Sequence, residues 1–149
     1  MLTMQSCDVA AQIADAGLFR QQCFIGGEWI GEGRTPVVNP HDGSVLGYVP
    51  EFGAAEARRA IEAANAALPG WRGATAKERS DALVRWATLC VEHQEDLARI
   101  MTLEQGKPLA ESRGEIVYGT GFLRWFAEEA RRVYGDSIPA NTPKHRIVT

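Results

Sequence analysis

The chain has 149 residues, of which 45% are hydrophobic and 23% charged, and its formal net charge is −3. This is the size and composition of one ordinary globular domain that buries its own core, and the charge excludes an electrostatic nucleic-acid binder. No apolar run approaches the roughly 20 residues of a bilayer span, and the opening MLTMQSCDVAAQIADAG lacks a signal peptide's basic start, so no membrane partner and a cytoplasmic location are expected.

Taken in chain order, Asp8 is placed to cap a short helix over Val9 to Phe19, with nothing fixed ahead of it. Cys23-Phe-Ile, Gly26-Gly27 and Glu28-Trp-Ile then read as a hairpin, because the glycine pair supplies the positive φ angles of a two-residue turn. Pro36-Val-Val and Val45-Leu-Gly-Tyr flank the turn-forming cluster Asn39-Pro-His-Asp-Gly43, giving a second strand pair.

From Ala54 the pattern turns helical. Ala54 to Leu68 is rich in Ala, Glu and Arg and is predicted to stop at Pro69-Gly70. Thr75 and Glu78 have capping-box spacing and start a second helix. Leu83, Trp86, Ala87, Cys90 and Val91 form its apolar stripe, and Leu97, Ile100 and Met101 continue the pattern after His93. Gly106 ends the helical run, and Pro108 opens the next helix, where its missing N–H does no harm.

Arg113 to Gly135 reads as one long helix. At about 100° per residue, Ile116, Thr120, Leu123, Ala127, Ala130 and Tyr134 share one face. Tyr118, Phe122 and Trp125 lie nearly opposite, with Arg124, Glu128, Arg131 and Arg132 between them. Two apolar faces predict burial on two sides, either at the centre of a bundle with the preceding helices or against a ligand. Gly114, Gly119 and Gly121 each cost about 1 kcal/mol in a helix, so something is expected to approach the backbone closely. Beyond Asp136 the chain is Pro-punctuated and extended, with a strand beginning near Arg146.

The search for self-contained chemistry finds no active site. Gly119-Thr-Gly121 lacks the third glycine of a dinucleotide fingerprint and sits inside a helix. His41, His93 and His145 have no paired acid or nucleophile at a suggestive spacing and read as surface or cap residues. Glu111, Glu115, Glu128 and Glu129 mix with arginines at the spacing of a solvated face. Cys7, Cys23 and Cys90, odd in number and widely spaced, read as reduced packing thiols, with neither a disulfide framework nor a metal site.

MTLEQGKPLAESRGEI (Met101 to Ile116) and FLRWFAEEARRVYGDSIP (Phe122 to Pro139) resemble the N-terminal region of aldehyde dehydrogenases, most of all the succinate-semialdehyde branch. LFRQQCFIGGEWI from Leu18, VVNPHDG from Val37, AALPGWR from Ala66, TAKERSDALVRW from Thr75 and EHQEDLARIMTLEQGKP from Glu92 extend the resemblance from residue 18 onward.

The resemblance implies an α/β protein about three times as long, of which this chain is an N-terminal fragment. It assigns 1–17 to a poorly ordered extension or short helix and 18–50 to strands of an oligomerisation arm. Residues 51–139 become the helical layer of an incomplete NAD(P)-binding domain, and 140–149 a strand returning to the arm. The implied chemistry is attack of a cysteine thiolate on an aldehyde, hydride transfer to NAD or NADP, and hydrolysis of the thioester with a glutamate as base. None of those residues is expected in this chain, so the fragment alone is expected to be inactive and to bind cofactor poorly. The small aldehyde substrate and the homo-oligomer are implied for the full-length protein only. Tyr118, Phe122 and Trp125 match a helix that lines the family's substrate tunnel, with plain packing as the alternative for each. Glutarate semialdehyde as substrate, or a non-catalytic remnant acting as an interaction module, are the competing readings. Strands lacking their partners would leave edges that invite association.

Overall fold

The structure, a computed structural model, describes residues 6–139 and 145–148, with 136–139 and 145–148 described as backbone only. The readings made for residues 1–5, for 140–144, for Thr149 and for the His145 side chain lie outside what is described.

Strands β1 (Cys23–Ile25) and β2 (Glu28–Ile30) form the expected hairpin, pairing Phe24 with Trp29. Gly26 and Gly27 turn it with φ of 63° and 90°, which a side chain rarely tolerates. Strands β3 (Thr35–Val38) and β4 (Val45–Val49) form the second pair, with a register shift at Val37/Val38. Their turn is held by side chains: Asn39 accepts from the His41 N–H at 3.0 Å and Asp42 from the Ser44 N–H at 2.9 Å.

Four helices follow. Helix α1 (Ala54–Gly73) starts where the Glu56 carboxylate accepts from the Gly53 N–H at 2.9 Å. It runs through Pro69 instead of stopping there. The proline leaves the Asn65 carbonyl without its helical bond, and Asn65 is exposed, so that group is open to solvent. Helix α2 (Ala76–Glu92) carries the predicted capping box: Thr75 accepts from the Glu78 N–H at 3.3 Å, and Glu78 accepts from the Thr75 N–H at 2.7 Å. The Thr75 hydroxyl, which donates to the Glu78 carboxylate at 2.7 Å, and then the Thr75 N–H hold that carboxyl below its ordinary pKa.

The helical run from Thr75 to Gly106 divides at His93, whose N–H closes α2 on Leu89 and whose carbonyl accepts from Leu97 in α3 (Gln94–Gln105). Gly106 ends α3 with φ 75°, and a Cβ there would stand 2.8 Å from Pro40 Cγ. One glycine thus permits both the left-handed cap and the contact with the β3–β4 turn.

Helix α4 (Leu109–Glu129) opens at Pro108 as expected but ends short of the predicted Gly135. Its end tightens, with the Arg131 and Arg132 N–H groups donating to Glu128 and Glu129. Tyr134, expected on the covered face, lies beyond the helix and is exposed. Helix α4 packs on α2 and α3 while α1 lies against β1, so α4 is not the centre of a bundle. No atom stands within 4 Å of a Cβ built on Gly114, Gly119 or Gly121, so the expected close approach is absent among the described residues. In the α2 stripe, Ala87 is buried whereas Trp86 and Val91 are exposed.

Three further expectations change. The segment from Val9 to Phe19 is two single 3₁₀ turns, Ala10–Gln12 and Ala16–Leu18, with Ile13 extended between them. It bends because the Ala14 and Asp15 N–H groups go to Asp96 instead of to a helix. Ahead of it, Ser6 and Cys7 are fixed beside β4. The last strand, β6 (His145–Val148), pairs antiparallel with β5 (Asp136–Pro139) and so has its partner within the chain.

Gly106→Ala is expected to destabilise the full expressed protein by about 1–2 kcal/mol from backbone handedness alone, and further because Pro40 must move. Chemical denaturation reads this, and an unchanged midpoint would show that the corner is free to adjust.

Candidate substrate-facing surface

The covered side of α4 is made of small residues. Ser80 and Ala87 of α2, Ala98 of α3, and Ser112, Thr120 and Ala127 of α4 are all buried. Polar contacts pin the same seam: the Thr102 and Ser112 hydroxyls share a bond of 2.8 Å, and Arg131 Nε donates to Ser80 Oγ at 2.9 Å. Arg113 forks onto the two Glu95 oxygens at 2.8 and 2.9 Å. That bond holds the Glu95 carboxyl below and the Arg113 guanidinium above their ordinary values.

With α4 oriented in this way, its second apolar face points outward. Tyr118 is 70% exposed, Phe122 49% and Trp125 62%. The three predicted residues do come together: the Tyr118 and Phe122 rings meet edge to face at 4.9 Å and 89°. With Trp125, Gly121 and Phe126 they line an open groove of about 370 Å³. Phe126, 57% exposed, was not assigned by the sequence reading, because on the wheel it falls between the two faces. Its signal was its position four residues after Phe122, where helical side chains meet. The groove is apolar and carries no titratable group apart from the Tyr118 hydroxyl, so it offers a wall and no acid, base or nucleophile.

The remaining reactive side chains stay apart from it. Cys7, Cys23 and Cys90 are free thiols, each partly buried. His41 lies exposed on the β3–β4 turn and His93 at the α2–α3 junction. Glu115 pairs with Lys107, and Glu129 with Arg132 at 2.9 Å, as befits a solvated face. No metal-binding group of His, Cys, Asp or Glu exists among the described residues. Gly119 and Gly121 are interior to α4, and among the described residues no glycine-rich phosphate loop joins a strand to a helix N-terminus. No described helix is long and apolar enough to cross a membrane.

Residues 29–149 match the aldehyde dehydrogenase family, and the chain belongs to it. It is 59% identical over 140 residues to glutarate-semialdehyde dehydrogenase of Pseudomonas putida, an alignment covering 92% of this chain and 29% of that protein. It is 55% identical over 140 residues to the NADP(+) succinate-semialdehyde dehydrogenase of Escherichia coli, with the same 92% and 29% coverage. The crystal structure of an E. coli NADP-dependent enzyme superposes with a TM-score of 0.83 at 56% identity, over 87% of this chain and 28% of that one. The chain thus spans under a third of the length of the curated relatives it matches. Its four helices and short strands are the N-terminal portion of the aldehyde dehydrogenase fold.

All four tryptophans are at least 46% exposed, and the aromatic groove is uncovered. Residues 1–149 expressed alone are therefore expected to self-associate or to keep helices without fixed packing. Sedimentation and thermal melting test this; a monodisperse monomer with one sharp cooperative transition would overturn it.

Proposed function

We propose that this chain is the amino-terminal part of an NAD(P)-dependent semialdehyde dehydrogenase that oxidises succinate semialdehyde to succinate. The observation that carries the reading is the identity of 55–59% to two semialdehyde dehydrogenases along 140 residues, joined to an aromatic wall on α4. Glutarate semialdehyde is the second reading, favoured by the 59% identity to the P. putida enzyme.

In this reading Tyr118, Phe122 and Trp125 flank the path of the aldehyde's carbon chain, where an apolar wall excludes water and orients the substrate without ionic contact. Residues 18–50 and 140–149 belong to an oligomerisation arm, and 51–139 to the flank of the nucleotide-binding domain. The thiolate that attacks the aldehyde and the groups that hold NAD(P) are supplied outside these 149 residues, so this portion alone forms no NAD(P)H. What the present residues supply is shape, and their substitution acts on substrate capture.

The test compares NAD(P)H formation by the full-length protein and by residues 1–149 with succinate and glutarate semialdehydes. The full-length protein should turn over with one semialdehyde preferred, and the 149 residues should be silent. Tyr118→Ala and Phe122→Ala are expected to lower kcat/KM roughly tenfold, the scale of a lost apolar pocket contact. Unchanged kcat/KM in both variants, with melting temperatures also unchanged, would reduce the aromatic face to packing.

A further inference from the structure

The segment ahead of the first hairpin is held at two ends by partners far away in sequence. At one end Ser6 lies in a parallel bridge with Val45, and the Cys7 N–H donates to the Val45 carbonyl at 2.9 Å. At the other, the Ala14 and Asp15 N–H groups donate to Asp96 Oδ1 and Oδ2, each at 2.9 Å, across 82 and 81 residues. Asp96 is in the first turn of α3 and only 7% exposed, so both of its oxygens are committed to this segment. Between the two ends Val9 is buried, and an open cleft of about 440 Å³ runs beside Ser6–Ala10 and β4. Residues 10–12 and 14–15 are exposed, so apart from Val9 the segment has few contacts to lose when it lifts.

We propose that residues Ser6–Asp15 form a strap locked by the Asp96 carboxylate, which opens and closes as one unit while the α2–α3–α4 seam stays folded. The charged groups facing the lock are Asp15 from the strap, Glu92 at the end of α2, His93 at the junction, and Glu95 with Arg99 on α3. The N–H bonds from Ala14 and then Asp15 hold the Asp96 carboxyl below its ordinary value. The lock is therefore fully closed above the unfolded carboxyl's pKa of about 3.9 and is lost as pH falls through the lower folded value. At neutral pH the carboxylate stays charged, so substitution is what shifts the strap's opening equilibrium.

Hydrogen exchange on the full expressed protein reads the strap directly. Asp96→Asn, which keeps one acceptor oxygen, is expected to speed exchange at Ala14 and Asp15 by about tenfold or more. It should speed the Cys7 amide at the far end to a similar extent, with α4 amides at Thr120 and Ala127 unchanged. Faster exchange confined to Ala14 and Asp15 would overturn unit opening, and equal acceleration everywhere would make Asp96 a global stability residue and overturn the lock. Should Asp96→Asn fail to fold, a protein beginning at Ala16 serves instead. It is expected to keep its helical content and α4 protection, and their loss would overturn the strap as a separable unit.

Discussion

Helix α4 approaches α2 and α3 because the residues at the crossings carry almost no side chain: Ala87, Ala98 and Ala127 meet there with Ser80, Ser112 and Thr120. Small residues let helix backbones come close, and every donor and acceptor brought into that seam then needs a partner. The Thr102–Ser112 bond, the Arg131–Ser80 bond and the Thr120 hydroxyl returned to Ile116 and Val117 supply them. The direction of everything else follows. Once one face of α4 is committed to the seam, its aromatic face can only point away.

The large side chains consequently lie at the edges instead of the centre. The largest fully buried side chains are serines, while Trp86, Trp125, Phe126 and Tyr118 are open to solvent. This inverts the usual arrangement, in which aromatic residues dominate the burial of a domain. It is the arrangement of a layer within a larger body, consistent with a chain that spans 29% of its relatives' length. The helical glycines agree with it: with no atom near their Cβ positions, Gly114, Gly119 and Gly121 serve no contact among the described residues.

Legibility followed the range of the deciding interaction. The Gly26-Gly27 turn, the Thr75 and Glu78 box and the Gly106 cap were readable because the groups that settle each lie within a few residues of one another. The aromatic groove was readable in part: period alone grouped Tyr118, Phe122 and Trp125, but Phe126 sits at the border of the faces and needed the orientation of α4. The misreadings have distant or solvent causes. The segment from Val9 broke into turns because Asp96 claims its N–H groups, Pro69 was passed where Asn65 lies exposed to solvent, and β6 found β5 instead of a partner elsewhere.

By itself the sequence determined the family, through the resemblance of its segments, and the order of the first two strand pairs and the helices and the two-faced character of α4, which rest on local chemistry and on side-chain period. Tertiary structure decided which of the two faces is covered, where α4 ends, and how the strap before Phe19 is tied down. Those outcomes turn on Ser80, Asp81 and Asp96, which meet Arg131, Ala14 and Asp15 from 50 to 82 positions away. No pattern within a helical turn encodes such a meeting, because only the close approach of α4 to α2 and α3, and of the strap to α3, brings the groups within bonding distance.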